Sequence, residues 1–302
     1  MEFHGNRGGK RINTRGRGAF GGVSAMLRSI LLALDDTEGA IAARDYALAL
    51  ARHTGAALTA AILMDRARLA DAHEAVPPGA AAFKERRDAA LLRQAEAAAA
   101  EAVAALDQAA DGVPYALETL ESVPTEALLG AAGAHDMLVV GRDSTLGREE
   151  TEDGLSPSIE ALLHDRTRPL LVVPPGARFD PTAAALVAYD GSPGALRAVQ
   201  LFALLGLGRG GATVLSVADD DGKAAALAGT AANFLRRHDV AAKALPVLGT
   251  HPVEALLAEA AGMPAGMLVM GAFEHTGLRA LFTGSATKHL LRRAPCAIFA
   301  AH

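Results

Sequence analysis

A repeat constrains the fold of this chain more than any other feature. Residues 30–34 form an apolar run that ends in Asp35, Asp36 and Thr37, and residues 185–189 form another that ends in Asp190, Gly191 and Ser192. A short continuous apolar run stopped by a carboxylate suits a strand buried on both faces of a parallel sheet. Strand-like segments at 58–64, 115–120, 137–140 and 170–173 follow the first copy, and segments at 213–217, 243–247, 268–270 and 297–300 follow the second in the same order. Segments of helical period lie between them. Over 40–52 the pattern is helical, with Ile41, Tyr46, Ala47 and Leu50 expected inward, and over 81–110, Leu92, Ala95, Ala99, Val103 and Leu106 mark a long alanine-rich helix. A repeat of about 140 residues is too long for a solenoid unit, so each copy is expected to be a complete domain.

Strands alternating with helices predict an α/β protein, two consecutive doubly wound five-stranded parallel sheets of Rossmann-like form. The expected division is an extension at 1–25, a first domain at 26–175, a linker at 176–184 with Pro174, Pro175 and Pro181 around it, and a second domain at 185–302. Asp35 and Asp190 are 155 positions apart, whereas Gly141 and Gly271 are 130 apart, so the first copy holds about 25 extra residues, assigned mostly to its long helix. The apolar fifth strands at 170–173 and 297–300 would be exposed sheet edges if the domains stood alone. The two domains are therefore expected to pack as an intramolecular pseudo-dimer.

Composition narrows the class further. The chain has 302 residues, 51% of them apolar, with a formal net charge of -5 that offers no global reason for a nucleic-acid partner. Residues 1–25 run against this balance, carrying Arg7, Lys10, Arg11, Arg15 and Arg17 against Glu2, and they lack the apolar periodicity needed to fold. They read as a disordered Gly/Arg-rich extension, either a product of translation assigned upstream of Met26 or an arm for single-stranded RNA. Cys296 is the only cysteine, which excludes an intramolecular disulfide and fits a reducing cytoplasm. No apolar run approaches the length of a membrane span, so no membrane partner is expected.

The stretch from Gly271 to Ser285 follows the strand at 268–270 and precedes a helix-like segment. A loop leaving the carboxyl end of a strand lies at the rim where α/β proteins bind ligands, and the amides of a following helix suit an anion. The bland reading is a glycine-bearing surface loop. With the tandem repeat and the aspartate-terminated first strands, this loop resembles the nucleotide-binding loop of the universal stress protein family: glycine, two residues, glycine, nine residues, glycine, then serine or threonine. Gly271 fits the first glycine and Gly284 with Ser285 the closing pair, while Glu274 stands where the middle glycine belongs. The resemblance covers residues 26–302.

The resemblance implies a five-stranded sheet of the adenine nucleotide alpha-hydrolase-like type, which binds ATP or AMP in many members and no nucleotide in others. Carried onto the second copy, it implies Asp190 and Val217 at the adenosine, Met270 and Gly271 at the loop entry, and Gly284, Ser285 and Ala286 at the phosphates. In the first copy the matching positions are Asp35, Leu63, Val140, Gly141 and Ser144. The closing position there is either Gly154, by spacing from Gly141, or Ser156, by matching Leu162 and Leu163 with Leu290 and Leu291. The first loop also carries Glu149, Glu150, Glu152 and Asp153 against Arg142 and Arg148, a cluster that repels phosphate. An aspartate placed after a strand can equally serve the start of the next helix.

Neither GxxxxGK[ST] nor GxGxxG follows the first strand, and no GxSxG occurs; His251 has no partner that suggests a metal, and His275 and His289, which flank the second loop, either contact a phosphate or face solvent. No catalysis is expected. The functional expectation is a stress-response binding module that takes ATP or AMP weakly at the second domain, with or without magnesium, and acts through a protein partner or dimer surfaces. The alternatives are an interaction protein of the same fold that binds no nucleotide, and a slow nucleotidase.

Overall fold

The computed structural model describes residues 27–71, 74–146, 149, 151, 154–164, 168–262, 266–272 and 284–302. The first half runs β1 (Ser29–Leu34), α1 (Glu38–Thr54), β2 (Ala57–Leu63), α2 (Arg66–Leu69), α3 (Ala81–Ala110), β3 (Tyr115–Leu120), α4 (Pro124–Ala132), β4 (Met137–Gly141), α5 (Pro157–His164) and β5 (Leu170–Val173). The second runs β6 (Ala185–Ala188), α6 (Pro193–Leu204), β7 (Ala212–Ala218), α7 (Asp221–Arg237), β8 (Ala242–Leu248), α8 (Pro252–Gly262), β9 (Met267–Gly271), α9 (Gly284–Arg293) and β10 (Ala297–Ala301). The extension at 1–25, the Glu274 position and most of the acidic cluster lie outside the described residues. Gly284, Ser285 and Ala286 open α9.

All ten strands form one sheet in the order β3-β2-β1-β4-β5-β10-β9-β6-β7-β8. Within each half the neighbours are parallel, and the halves meet where β5 pairs antiparallel with β10. The apolar fifth strands thus cover each other, and the pseudo-dimer is a single continuous sheet. One correction of register emerges. Leu170 pairs with Leu138 and Ile298 with Leu268, so Leu170 corresponds to Ile298 rather than to Ala297. Leu171 and Phe299 consequently lie opposite each other at the centre of the seam.

Helices cover both faces, and in α1 Tyr46, Ala47 and Leu50 are buried as expected, whereas Ile41, on the opposite side of the helix from Leu50, is exposed. Tyr46 of α1, Leu106 of α3, Phe202 of α6 and Leu235 of α7 belong to one apolar layer, and Leu128 of α4, Ile159 of α5, Leu256 of α8 and Leu290 of α9 to the other. Both layers cross the seam, which explains why β4, β5, β6 and β10 are buried along their whole length. The extra length of the first half is shared by three pieces rather than lying mostly in one helix. Alpha3 has 30 residues against 17 in α7, and α2 with the segment leading to α3 supplies the remainder.

Side chains also bridge the halves. Lys288 of α9 lies 2.6 Å from Glu160 of α5, and the Arg142 guanidinium donates to the carbonyls of Arg292 and Ala294 at the end of α9. The Tyr46 hydroxyl donates to the Gly266 carbonyl at 3.0 Å. Among the described residues no helix is long and apolar enough to cross a membrane.

Candidate functional site

In each half the strand order reverses beside the first strand, with β2 and β4 flanking β1 and β7 and β9 flanking β6. The carboxyl end of that strand is the crevice where open α/β sheets bind ligands. Asp35 and Asp190 both sit there, half-buried. Each also serves the helix that follows. Thr37 and Ser192 accept the N–H groups of Ala40 and Ala195 as helix caps, and each aspartate holds the backbone N–H of its capping residue, at 3.0 Å for Thr37 and 2.9 Å for Ser192.

Beyond that shared role the two differ. Asp35 Oδ2 accepts the Ser144 hydroxyl, the Thr145 N–H at 2.8 Å and the Leu146 N–H at 3.2 Å, so the loop after β4 is drawn across the carboxylate. That loop carries Leu146 at φ 43°, a left-handed conformation that a leucine adopts only when its surroundings over-determine it. For Asp190 the one partner among the described residues is the Ser192 N–H. The Asp35 carboxylate is thus engaged by its own loop.

The register brings Leu63 and Val217 to equivalent places beside the two aspartates, one step beyond the pair Leu34–Ile62 and two beyond Ala188–Leu215. Both are buried, and Val140 and Met270 are wholly buried in the same apolar layer. Gly141 and Gly271 are held glycine by packing. A Cβ on Gly141 would lie 2.3 Å from the Ala40 nitrogen, and one on Gly271 would lie 2.6 Å from the Ala195 nitrogen. They let the opening turns of α1 and α6 rest directly on the strand ends, whether or not a ligand is bound.

Of the two candidates for the closing position of the first loop, Ser156 is the one beside the start of α5. It lies buried just before α5, where its hydroxyl accepts the Ile159 N–H at 3.3 Å, and Leu162 and Leu163 are buried as Leu290 and Leu291 are. Gly154 instead forms a turn at φ 78°. At the same helix start the Glu149 carboxylate accepts the Ser158 N–H at 3.1 Å and the Ser158 hydroxyl at 2.7 Å. The sequence marked Glu149 as one repelling charge in a cluster; its bond to α5 depends on how the loop turns back and had no local signal.

Tyr189 is a further feature of the second half. It precedes Asp190, and burial together with the Asp190 charge pushes its phenol above the ordinary range, so it stays protonated. Its carbonyl accepts the buried Ser216 hydroxyl at 2.6 Å. The first half has Leu34 at the matching position. Cys296 is buried, and desolvation lifts its thiol to about 11, which leaves it unreactive at neutral pH. Among the described residues no group of three His, Cys, Asp or Glu side chains is arranged to hold a metal ion. The arrangement suits binding through a carboxylate, a buried aliphatic side chain and a helix start.

Comparison with known proteins adds the following. Residues 26–174 and 184–302 match the sequence model of the Universal stress protein family. Among solved structures, a universal stress protein from Archaeoglobus fulgidus superposes with a TM-score of 0.63 at 17% identity, over 92% of this chain and 99% of that one. A functionally unknown protein from Pseudomonas aeruginosa superposes with a TM-score of 0.50 at 16% identity, over 92% of this chain and 94% of that one. At such identities the likeness is one of fold. No curated protein gives a significant match.

Proposed function

Because the chain belongs to the universal stress protein family, we propose that it is a cytoplasmic stress-response binding module, not an enzyme, whose second half takes ATP or AMP weakly. In this reading the linker at 176–184 separates two domains, occupancy of the second alters a surface that a protein partner or a second copy recognises, and magnesium accompanies the distal phosphates. The observation that supports it best is the engagement of Asp35, which is bonded through both oxygens to Thr37 and to the loop after β4 and so disfavours the first half as the site. Asp190 with Val217 would meet the adenosine, and the start of α9 at Gly284, Ser285 and Ala286 would meet phosphate.

Affinity is weak in this reading because Glu274 replaces the glycine of the wrapping loop and sets a carboxylate near the phosphates, where like charges repel. Calorimetric titration of AMP and ATP into the full chain tests the assignment. Asp190→Ala should lower affinity for both by about tenfold or more, the loss expected from one charge-assisted hydrogen bond. Asp35→Ala should leave it nearly unchanged, and Glu274→Gly should strengthen ATP more than AMP. An Asp35→Ala variant that loses binding while Asp190→Ala retains it would overturn the assignment.

A further inference from the structure

The first half holds a partly open cleft between the carboxyl ends of β1 and β2 and the helices α2 and α3. Ile62 and Leu63 line it from the sheet, and Leu69, Ala95, Ala98 and Ala99 from the helices. Alpha2 and the longer α3 build this outer wall. The matching connection in the second half, described throughout, holds α7 alone. The run of alanines leaves depth where larger side chains would fill the space.

The polar residues of the lining are Asp35, Asp36 and Thr145. Two carboxylates of the chain already use the donors an anion would seek. Asp35 takes the amides of Thr145 and Leu146, and Glu149 takes the amide and hydroxyl of Ser158 at the start of α5. Asp36, exposed at the rim, adds a third negative charge. A phosphate entering here would meet like charges and would have to break bonds that the chain makes with itself. An apolar body meets only favourable burial.

We infer that this cleft receives a small apolar molecule without phosphate, neutral or cationic, and that Asp35 and Asp36 in its lining keep anions out of it. The ligand differs in chemistry from the nucleotide assigned to the second half, and the two sites are independent. The test uses the full chain with N-phenyl-1-naphthylamine, an uncharged fluorescent probe. Its emission should rise on binding, and the affinity should fall by about tenfold or more in Ala98→Trp, which fills the cleft, and in Leu69→Glu, which places a charge in its wall on the surface helix α2. Millimolar AMP should not displace the probe from the parent protein. AMP titrated into Ala98→Trp reads the second half by itself, so failure there is separable from failure of the cleft. Unchanged probe affinity in both variants, or displacement by AMP in the parent, would overturn the inference.

Discussion

Gly141 and Gly271 illustrate how one residue can satisfy two arguments at once. Both stand where a glycine loop would begin, and the structure adds a steric demand, since a Cβ at either would press into the backbone of the next helix start. Gly271→Ala should therefore destabilise the chain by about 1–3 kcal/mol, the cost of overpacking a closed contact, measurable by urea denaturation without nucleotide. A glycine serving ligand approach alone would show no such loss. The matched aspartates were legible from sequence because each ends an apolar run. The bonding of Asp35 was not, because Ser144, Thr145 and Leu146 reach it from more than a hundred positions away, through a loop whose path no local pattern encodes.

Among elements, the strands and helices were legible wherever period and burial agreed, and they slipped where the pattern carries no register. Beta10 is apolar at every position and buried on both faces, so a shift by one residue exposes nothing and hydrophobicity alone cannot place it. The length of α3 was legible from its alanine-rich stripe, whereas α2, only four residues long, has no periodicity to read. Alpha1 shows a conflict at its end. A cation in a last turn is normally favoured by the helix dipole, yet partial desolvation and the Arg209 charge push the His53 imidazole below its ordinary value. Its ring lies 5.7 Å from that of Phe179 in the segment joining the halves, with Asp180 beside them in the same crevice. A base with a depressed folded pKa binds fewer protons folded than unfolded, so its contribution is intact above the ordinary value near 6.5 and is lost as pH falls from there through the folded pKa. His53→Gln should flatten that part of the stability profile, measured by thermal unfolding across mildly acidic pH.

At the scale of the whole molecule the seam decides the behaviour. Leu171 faces Phe299 across the paired fifth strands, and Glu160 pairs with Lys288 between α5 and α9. In each pair the two members occupy the same place in their own half, so a twofold symmetric assembly would set each against a copy of itself. Here a small side chain meets a large one and an anion meets a cation. Lys288→Glu should destabilise the chain by about 0.5–1 kcal/mol, modest because both side chains are partly exposed. Adding Glu160→Lys should restore most of the loss, and a denaturation cycle over the four proteins checks the coupling. The seam was expected from its apolar edges, but this complementarity was not, since it depends on which residues the axis brings together. It also bears on inheritance. Tandem repeats can overwrite one another through recombination within their own gene, and copying either half's seam onto the other would leave Glu against Glu or Lys against Lys, with two leucines or two phenylalanines at the centre. The axis thus penalises such conversion, so the halves can drift apart in what they bind while their joint keeps them a matched pair.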